Sequence, residues 1–179
     1  MMEKTIAVNT TSHLYTIREF LPAMIDNKKG HVVSIASVAG TVGIAGMADY
    51  CASKFGAFAI DESLRMEMQH MGLSDKIKTT CICPYYINTG MFDGVKTNFL
   101  FPILDQHVVT KRIIDAIRQE EPLVLIPATM YVVFFGRTFF PVWFQDWLTR
   151  ATGSNNSMDD FKGSYSSTAP GTLSAKQGH

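Results

Sequence analysis

No charge of one sign dominates this sequence of 179 residues: sixteen Lys and Arg offset sixteen Asp and Glu, leaving a formal net charge of +0. That balance removes the electrostatic case for a nucleic-acid partner, which needs a basic face. Cysteine is scarce, at three. An odd number without framework spacing points to a reducing compartment rather than a disulfide scaffold. Cys81 and Cys83 stand two apart, so both point to one face of a strand. No second Cys or His pair lies near them, and buried small side chains explain them better than a metal. The apolar stretch at 129–148 is too short and too interrupted to span a bilayer. Met1-Met2-Glu3-Lys4 leads directly into a helical pattern, which does not read as a signal peptide. A phosphate-cradling turn is also missing. Gly40-Thr-Val-Gly-Ile-Ala-Gly46 has three glycines, but their spacing is not G-x-G-x-x-G, and the segment reads as a loop.

What is present is an ordinary folding composition, 46% hydrophobic and 18% charged, long enough to bury a core as one domain. Val8, Leu14, Ile17, Phe20, Leu21, Met24 and Ile25 recur at helical spacing over about 3–26. Pro22 should kink that helix, and Gly30 is placed to cap it. Val32–Ala36 reads as a parallel strand covered on both faces. A helix from about Ala48 to Met71 follows, its stripe extended by Leu64, Met68 and Met71, with Asp61, Glu62, Arg65 and Glu67 toward water. Gly72 ends it. Ile77–Cys83 is a second strand closed by Pro84, 106–120 a helix, and Leu123–Pro127 a third strand. Strand–helix alternation implies an α/β fold with parallel pairing through right-handed crossovers. Residues 129–150 form an aromatic amphipathic segment suited to a membrane surface or to packing on the chain itself or a partner. Residues 151–179 turn polar and read as a disordered tail.

The chemistry gathers at Asp49-Tyr50-Cys51-Ala52-Ser53-Lys54. Tyr50 and Lys54, four apart on a helix, share one face. A phenol titrates near ~10 and cannot act as a base at neutral pH unaided. A nearby ammonium favours the phenolate, so the pair makes a candidate general acid/base unit. Taken alone, such a pair is more often a half-buried Tyr beside a solvated Lys. Ser37 lies thirteen residues upstream at a strand end, and Asn9 a further twenty-eight residues back. Asn9, Ser37, Tyr50 and Lys54, in that order and spacing, resemble the catalytic tetrad of the short-chain dehydrogenase/reductases.

That resemblance covers about Glu3 to Gly163 and implies a set of expectations. Tyr50 would move the proton, Lys54 would lower its pKa and hold the nicotinamide ribose, and Ser37 would bond the reacting oxygen. Asn9 would anchor a relay water. Cys83-Pro84-Tyr85-Tyr86-Ile87-Asn88-Thr89-Gly90-Met91-Phe92 resembles the segment that lies against the nicotinamide, which places Pro84, Ile87 and Thr89 at the cofactor. Tyr85 stands where the family usually has Gly. The Thr-Gly-Met-Phe that ends this segment, with Asp-Tyr-Cys-Ala-Ser-Lys-Phe-Gly, is similar to the membrane-associated branch that oxidises retinol and steroid-like lipids. By the same resemblance the three strands are the last three of a Rossmann-like doubly wound parallel sheet, with 1–128 a partial domain lacking the dinucleotide-binding half. The implied reaction interconverts a lipidic alcohol and its aldehyde or ketone with NAD or NADP, at the cytosolic face of the endoplasmic reticulum or a lipid droplet. Location would be cytoplasmic if the missing half carried the only anchor. Residues 91–104 would form an apolar lid. A homodimer through helices 3–26 and 48–71 is expected. The alternatives are a truncated, inactive fragment that keeps its dimer or membrane surfaces and, third, a membrane-surface module built on 129–148.

Overall fold

The structure is a computed structural model that describes residues 2–89, 95, 97, 101–153 and 156–158. Three parallel strands form one sheet in the order β1-β2-β3: β1 is Gly30–Ile35, β2 Ile77–Pro84 and β3 Leu123–Ile126. Ser34 pairs with Cys81 and Cys83 with Leu125. Side chains alternate across a strand, so β2 serves two cores. On one face Cys81, Cys83 and Leu125 pack with Ala57 and Met130. On the other Ile82, Val124 and Ile126 pack with Val109 and Ala116. The eight residues of β2 are buried throughout except Lys78, as continuous hydrophobicity in a centre strand requires.

The helices are α1 Met2–Ile6, α2 Ser12–Asp26, α3 Ala48–His70, α4 Gln106–Arg118, α5 Met130–Phe139 and α6 Val142–Ala151. A π-helical turn, Ala7–Thr11, joins α1 to α2, and the Ser12 N–H bonds back to the Ala7 carbonyl. The expected distortion at Pro22 does not end the helix: α2 runs through it. Nor does Gly30 cap α2. Lys28 takes the left-handed conformation (φ 48°), with Lys28 N–H bonding to Ile25 and Lys29 N–H to Met24, a Schellman ending. Gly30 opens β1 instead, because a Cβ there would stand 2.6 Å from Met24 Sδ. Gly72 does end α3, at φ 68° with Leu73 N–H on the Met68 carbonyl.

α3 lies against the sheet through Ala57, Leu64 and Met68. Met71, expected in that stripe, is 52% exposed. Asp61, expected in water, is 1% exposed. Burial pushes its carboxyl up to about 6, and Ser34 of β1 opposes that rise only in part. The aromatic segment divides at Pro141, whose extended backbone starts α6. Among the described residues no helix is long and apolar enough to cross a membrane. The segment read as a tail supplies Ala151 to α6, and Ser157, at 9% exposure, to a buried position. The lid expected over 91–104 and the Gly90-Met91-Phe92 phrase lie largely outside the described residues.

Candidate active site

Two turns and one helix assemble the candidate site. The chain leaves β1 into a short 3-10 turn, Val38–Gly40, with Ser37 as its cap: the Ser37 Oγ accepts from the Ala39 N–H at 3.2 Å. Its own hydroxyl donates to the Pro84 carbonyl at 3.2 Å, which ties the end of β1 to the end of β2. Gly40 lets that turn approach α3, since a Cβ there would meet the Lys54 carbonyl oxygen at 2.5 Å. Ser37 and Tyr50 line the same pocket, close enough for the Ser37 hydroxyl to favour the phenolate. The Lys54 ammonium donates to the Ile35 carbonyl at 3.0 Å and stands 5.9 Å from the centre of the Tyr50 ring.

Asn9 sits in the π-helical turn and donates from Nδ2 to Ser53 Oγ at 3.1 Å. Thr10 Oγ1 donates to the Ser53 carbonyl at 2.8 Å, and Gly56 lets the two helices close, because a Cβ there would meet Thr10 at 2.5 Å. The wide turn therefore sits where α3 carries Ser53 and Lys54. π-turns of this kind recur at functional sites.

Electrostatics departs from the sequence reading in one respect. Burial raises the Tyr50 phenol above its ordinary value, and Ser37 only partly offsets it. The net displacement of Tyr50 is thus upward, where the four-residue spacing to Lys54 led to an expected depression. Burial also lowers the Lys54 ammonium. Tyr85 is pushed up to about 12 by burial, with Tyr86 adding to it. Burial lowers the His13 imidazole, and the Lys54 charge adds to the shift.

A cavity of about 230 Å³ is lined by Ser37, Tyr50, Lys54, Pro84, Ile87 and Thr89, among others. Six of the seven residues singled out in the sequence thus meet in one place. Asn9 is not among its lining residues; it is tied to the site through Ser53, whose hydroxyl donates to the Tyr50 carbonyl at 2.7 Å. A second cavity of about 470 Å³ adjoins it, sharing Val38, Ile44, Tyr85 and Tyr86. Its far walls come from α5 and α6. The arrangement places hydroxyls able to donate and accept, and one cation, at the narrow end of an apolar chamber. Among the described residues no cluster of His, Cys, Asp and Glu could hold a metal ion.

The sequence model of the short chain dehydrogenase family matches residues 1–98. The chain belongs to the short-chain dehydrogenase/reductase family. It is 44% identical over 144 residues to human epidermal retinol dehydrogenase 2, covering 79% of this chain and 46% of the relative. To human retinol dehydrogenase 10 it is 39% identical over 146 residues, covering 79% and 42%. The chain therefore spans under half the length of these curated relatives. Among solved structures, a short chain dehydrogenase from Burkholderia cenocepacia in complex with NADP superposes with a TM-score of 0.64 at 23% identity, covering 84% of this chain and 58% of the other. One from Burkholderia phymatum, in complex with NAD, gives 0.58 at 20%, covering 72% and 54%. These likenesses bear on the fold.

Proposed function

We propose that the chain carries the substrate half of an NAD- or NADP-dependent oxidoreductase that interconverts a lipidic, retinol- or steroid-like alcohol and its carbonyl form. The observation that carries this is that the Ser37–Tyr50–Lys54 pocket adjoins the larger apolar cavity, with Val38, Ile44, Tyr85 and Tyr86 as shared walls, so that a hydroxyl at Tyr50 would have its apolar body toward α5–α6. The relatives named for retinol support the substrate class. The bound nicotinamide would supply the hydride acceptor or donor. Lys54, Pro84, Ile87 and Thr89 would hold that end of it, for the pocket has room for one ring rather than a dinucleotide, below the ~300–1,000 Å³ of whole-ligand sites. Tyr50, protonated at neutral pH, donates its phenolic proton to a carbonyl oxygen or takes one back from an alcohol. Ser37 hydrogen-bonds that oxygen as charge develops on it. Asn9 fixes Ser53 and, through it, the turn of α3 that bears Lys54, where a relay water can reach the ammonium.

The test uses the chain joined in cis to the remaining portion of human epidermal retinol dehydrogenase 2. Tyr50→Phe is expected to lower retinol turnover by at least ~100-fold with cofactor binding retained, since only proton transfer is lost. Activity within tenfold of the unsubstituted protein would end the assignment. A second reading, a chain that is inactive by itself, is favoured by one observation. Among the described residues no strand leads through a glycine turn into a helix, the arrangement that binds a pyrophosphate.

Two partners belong to the same proposal. Leu14, Tyr15 and Phe20 on α2 and Met66 on α3 are exposed apolar side chains suited to a homodimer through helices 3–26 and 48–71. Phe139, Trp143 and Trp147 are 79%, 70% and 57% exposed, an aromatic face suited to a membrane interface and to an enzyme at the cytosolic face of the endoplasmic reticulum or a lipid droplet. Co-sedimentation with phosphatidylcholine vesicles should be lost on changing both tryptophans to Ser; undiminished pelleting would remove the membrane from this picture.

A further inference from the structure

The chain beyond α6 comes back to the site. Ser157 is 9% exposed and Tyr86 5%, and the Ser157 side chain lies near enough to the Tyr86 phenol to offset part of the rise that burial imposes on it. The Tyr86 hydroxyl lies 3.8 Å from Met47 Sδ and 3.7 Å from Met158 Sδ. Met158 also covers Gly46: its Cβ would be 3.5 Å from a Cβ built there. It packs on the cluster of Ala39, Met47 and Cys51. Three separate stretches, the loop before α3, the segment after β2 and the end of the described chain, thus meet on one phenol. Thioether contacts of this kind are individually weak and adaptable, so the joint can hold a wall in place and still yield.

We propose that Thr152, Gly153, Ser157 and Met158, beyond α6, act as a strap that walls the apolar cavity and selects long apolar ligands over short ones, with Met158 as its anchor. This rests on the reading of that cavity as the seat of a lipidic alcohol. Thr152, Gly153 and Ser157 line the 470 Å³ cavity, and none of them lines the 230 Å³ pocket at Tyr50. A single-ring alcohol that fits the pocket never meets the strap. A ligand that continues into the larger cavity is closed in by it, and gains apolar contact in proportion to the surface covered. Tyr86 borders both spaces, so the strap is fastened to the partition between them.

The test is ligand binding by the purified 179-residue chain. All-trans-retinol is titrated by fluorescence, and benzyl alcohol by chemical-shift changes. Met158→Ala should weaken retinol at least about fivefold, from the loss of one anchored wall, and leave the benzyl alcohol midpoint within about twofold. Met158→Leu, which keeps the volume, should restore retinol binding. Thr152→Phe leaves the anchor intact and narrows the cavity from the strap side, so it decides the matter even if Met158→Ala loosens the fold; it too should weaken retinol alone. Unchanged retinol affinity in Met158→Ala and Thr152→Phe, or equal losses for both ligands, overturns the strap while leaving the lipid reading intact. Failure of the unsubstituted chain to bind retinol, with benzyl alcohol still bound, overturns the lipid reading and the strap together.

Discussion

A carboxyl with 1% exposure, as Asp61 has, is stable in a core chiefly in its neutral form, because burial penalises the charge. One oxygen, Oδ1, has no hydrogen-bond partner, and Ser34 recovers only part of the cost. Its folded-state pKa lies at about 6, raised from 3.8. The folded protein therefore binds this proton more tightly than the unfolded chain does. The stabilising contribution is complete below about pH 4 and is lost as pH rises through 6. A shift of this size corresponds to about 3 kcal/mol of stability at most. Asp61→Asn keeps a neutral polar group of the same shape. It should stabilise the protein at pH 8 by up to that amount and leave it nearly unchanged at pH 4, as read by urea unfolding of both proteins across that range. Equal stability differences at the two pH values would mean that Asp61 does not titrate in the folded chain. Tyr50 is displaced in the same direction by the same cause, but at neutral pH this leaves it a phenol, the form that can donate a proton.

At the scale of elements, the closest approach in the site is between the 3-10 turn after β1 and α3. Gly40 makes that approach possible, and the atom a Cβ would strike is backbone, which cannot rotate away. Gly43, three residues on, has nothing within 4 Å. Gly40→Ala should therefore cost ~1–3 kcal/mol and displace Ser37 from Tyr50, whereas Gly43→Ala should stay within about 0.5 kcal/mol. Thermal unfolding of the two variants side by side checks this, and equal melting temperatures would refute the contact. The strands and α3 were legible because apolar runs and the 3.6-residue stripe of Ala57, Leu64 and Met68 record burial directly. The meeting of Ser37, Tyr50 and Lys54 was legible only through a resemblance, for no local pattern says that β1 ends beside α3. Three features were hidden for identifiable reasons. Asp61 is polar, and a polar residue on a helix reads as solvent-facing. The π-turn at Asn9 inserts its extra residue without a Gly or Pro to mark it. Ser157 and Met158 sit in a polar composition, and the partner that Met158 meets, Tyr86, lies far upstream in the chain.

For the whole molecule, the deciding matter is how much of a dinucleotide these elements can hold. Each parallel strand ends near the site, yet β1 leads into a 3-10 turn, β2 into a loop, and β3 into α5. None is a glycine turn at a helix start, so no described helix offers its N-terminal N–H groups to a pyrophosphate. On the proposed reading the pocket at Tyr50 and Lys54 holds the nicotinamide end alone, while the loss of translational and rotational freedom is the same as for a fully held ligand. Half the contacts against the whole of that cost predicts a dissociation constant weaker than ~1 mM for either NAD or NADP. β1 is meanwhile an edge of the sheet, with Ile35 45% exposed, and an unpaired edge invites another strand beside it. Isothermal titration of the 179-residue chain with each cofactor should give no saturable heat below millimolar concentration. Retinol binding should survive, because the described walls of both cavities, from the Tyr50 pocket to α5 and α6, belong to this chain. Micromolar NAD or NADP affinity would show that the phosphate grip comes from within this chain after all.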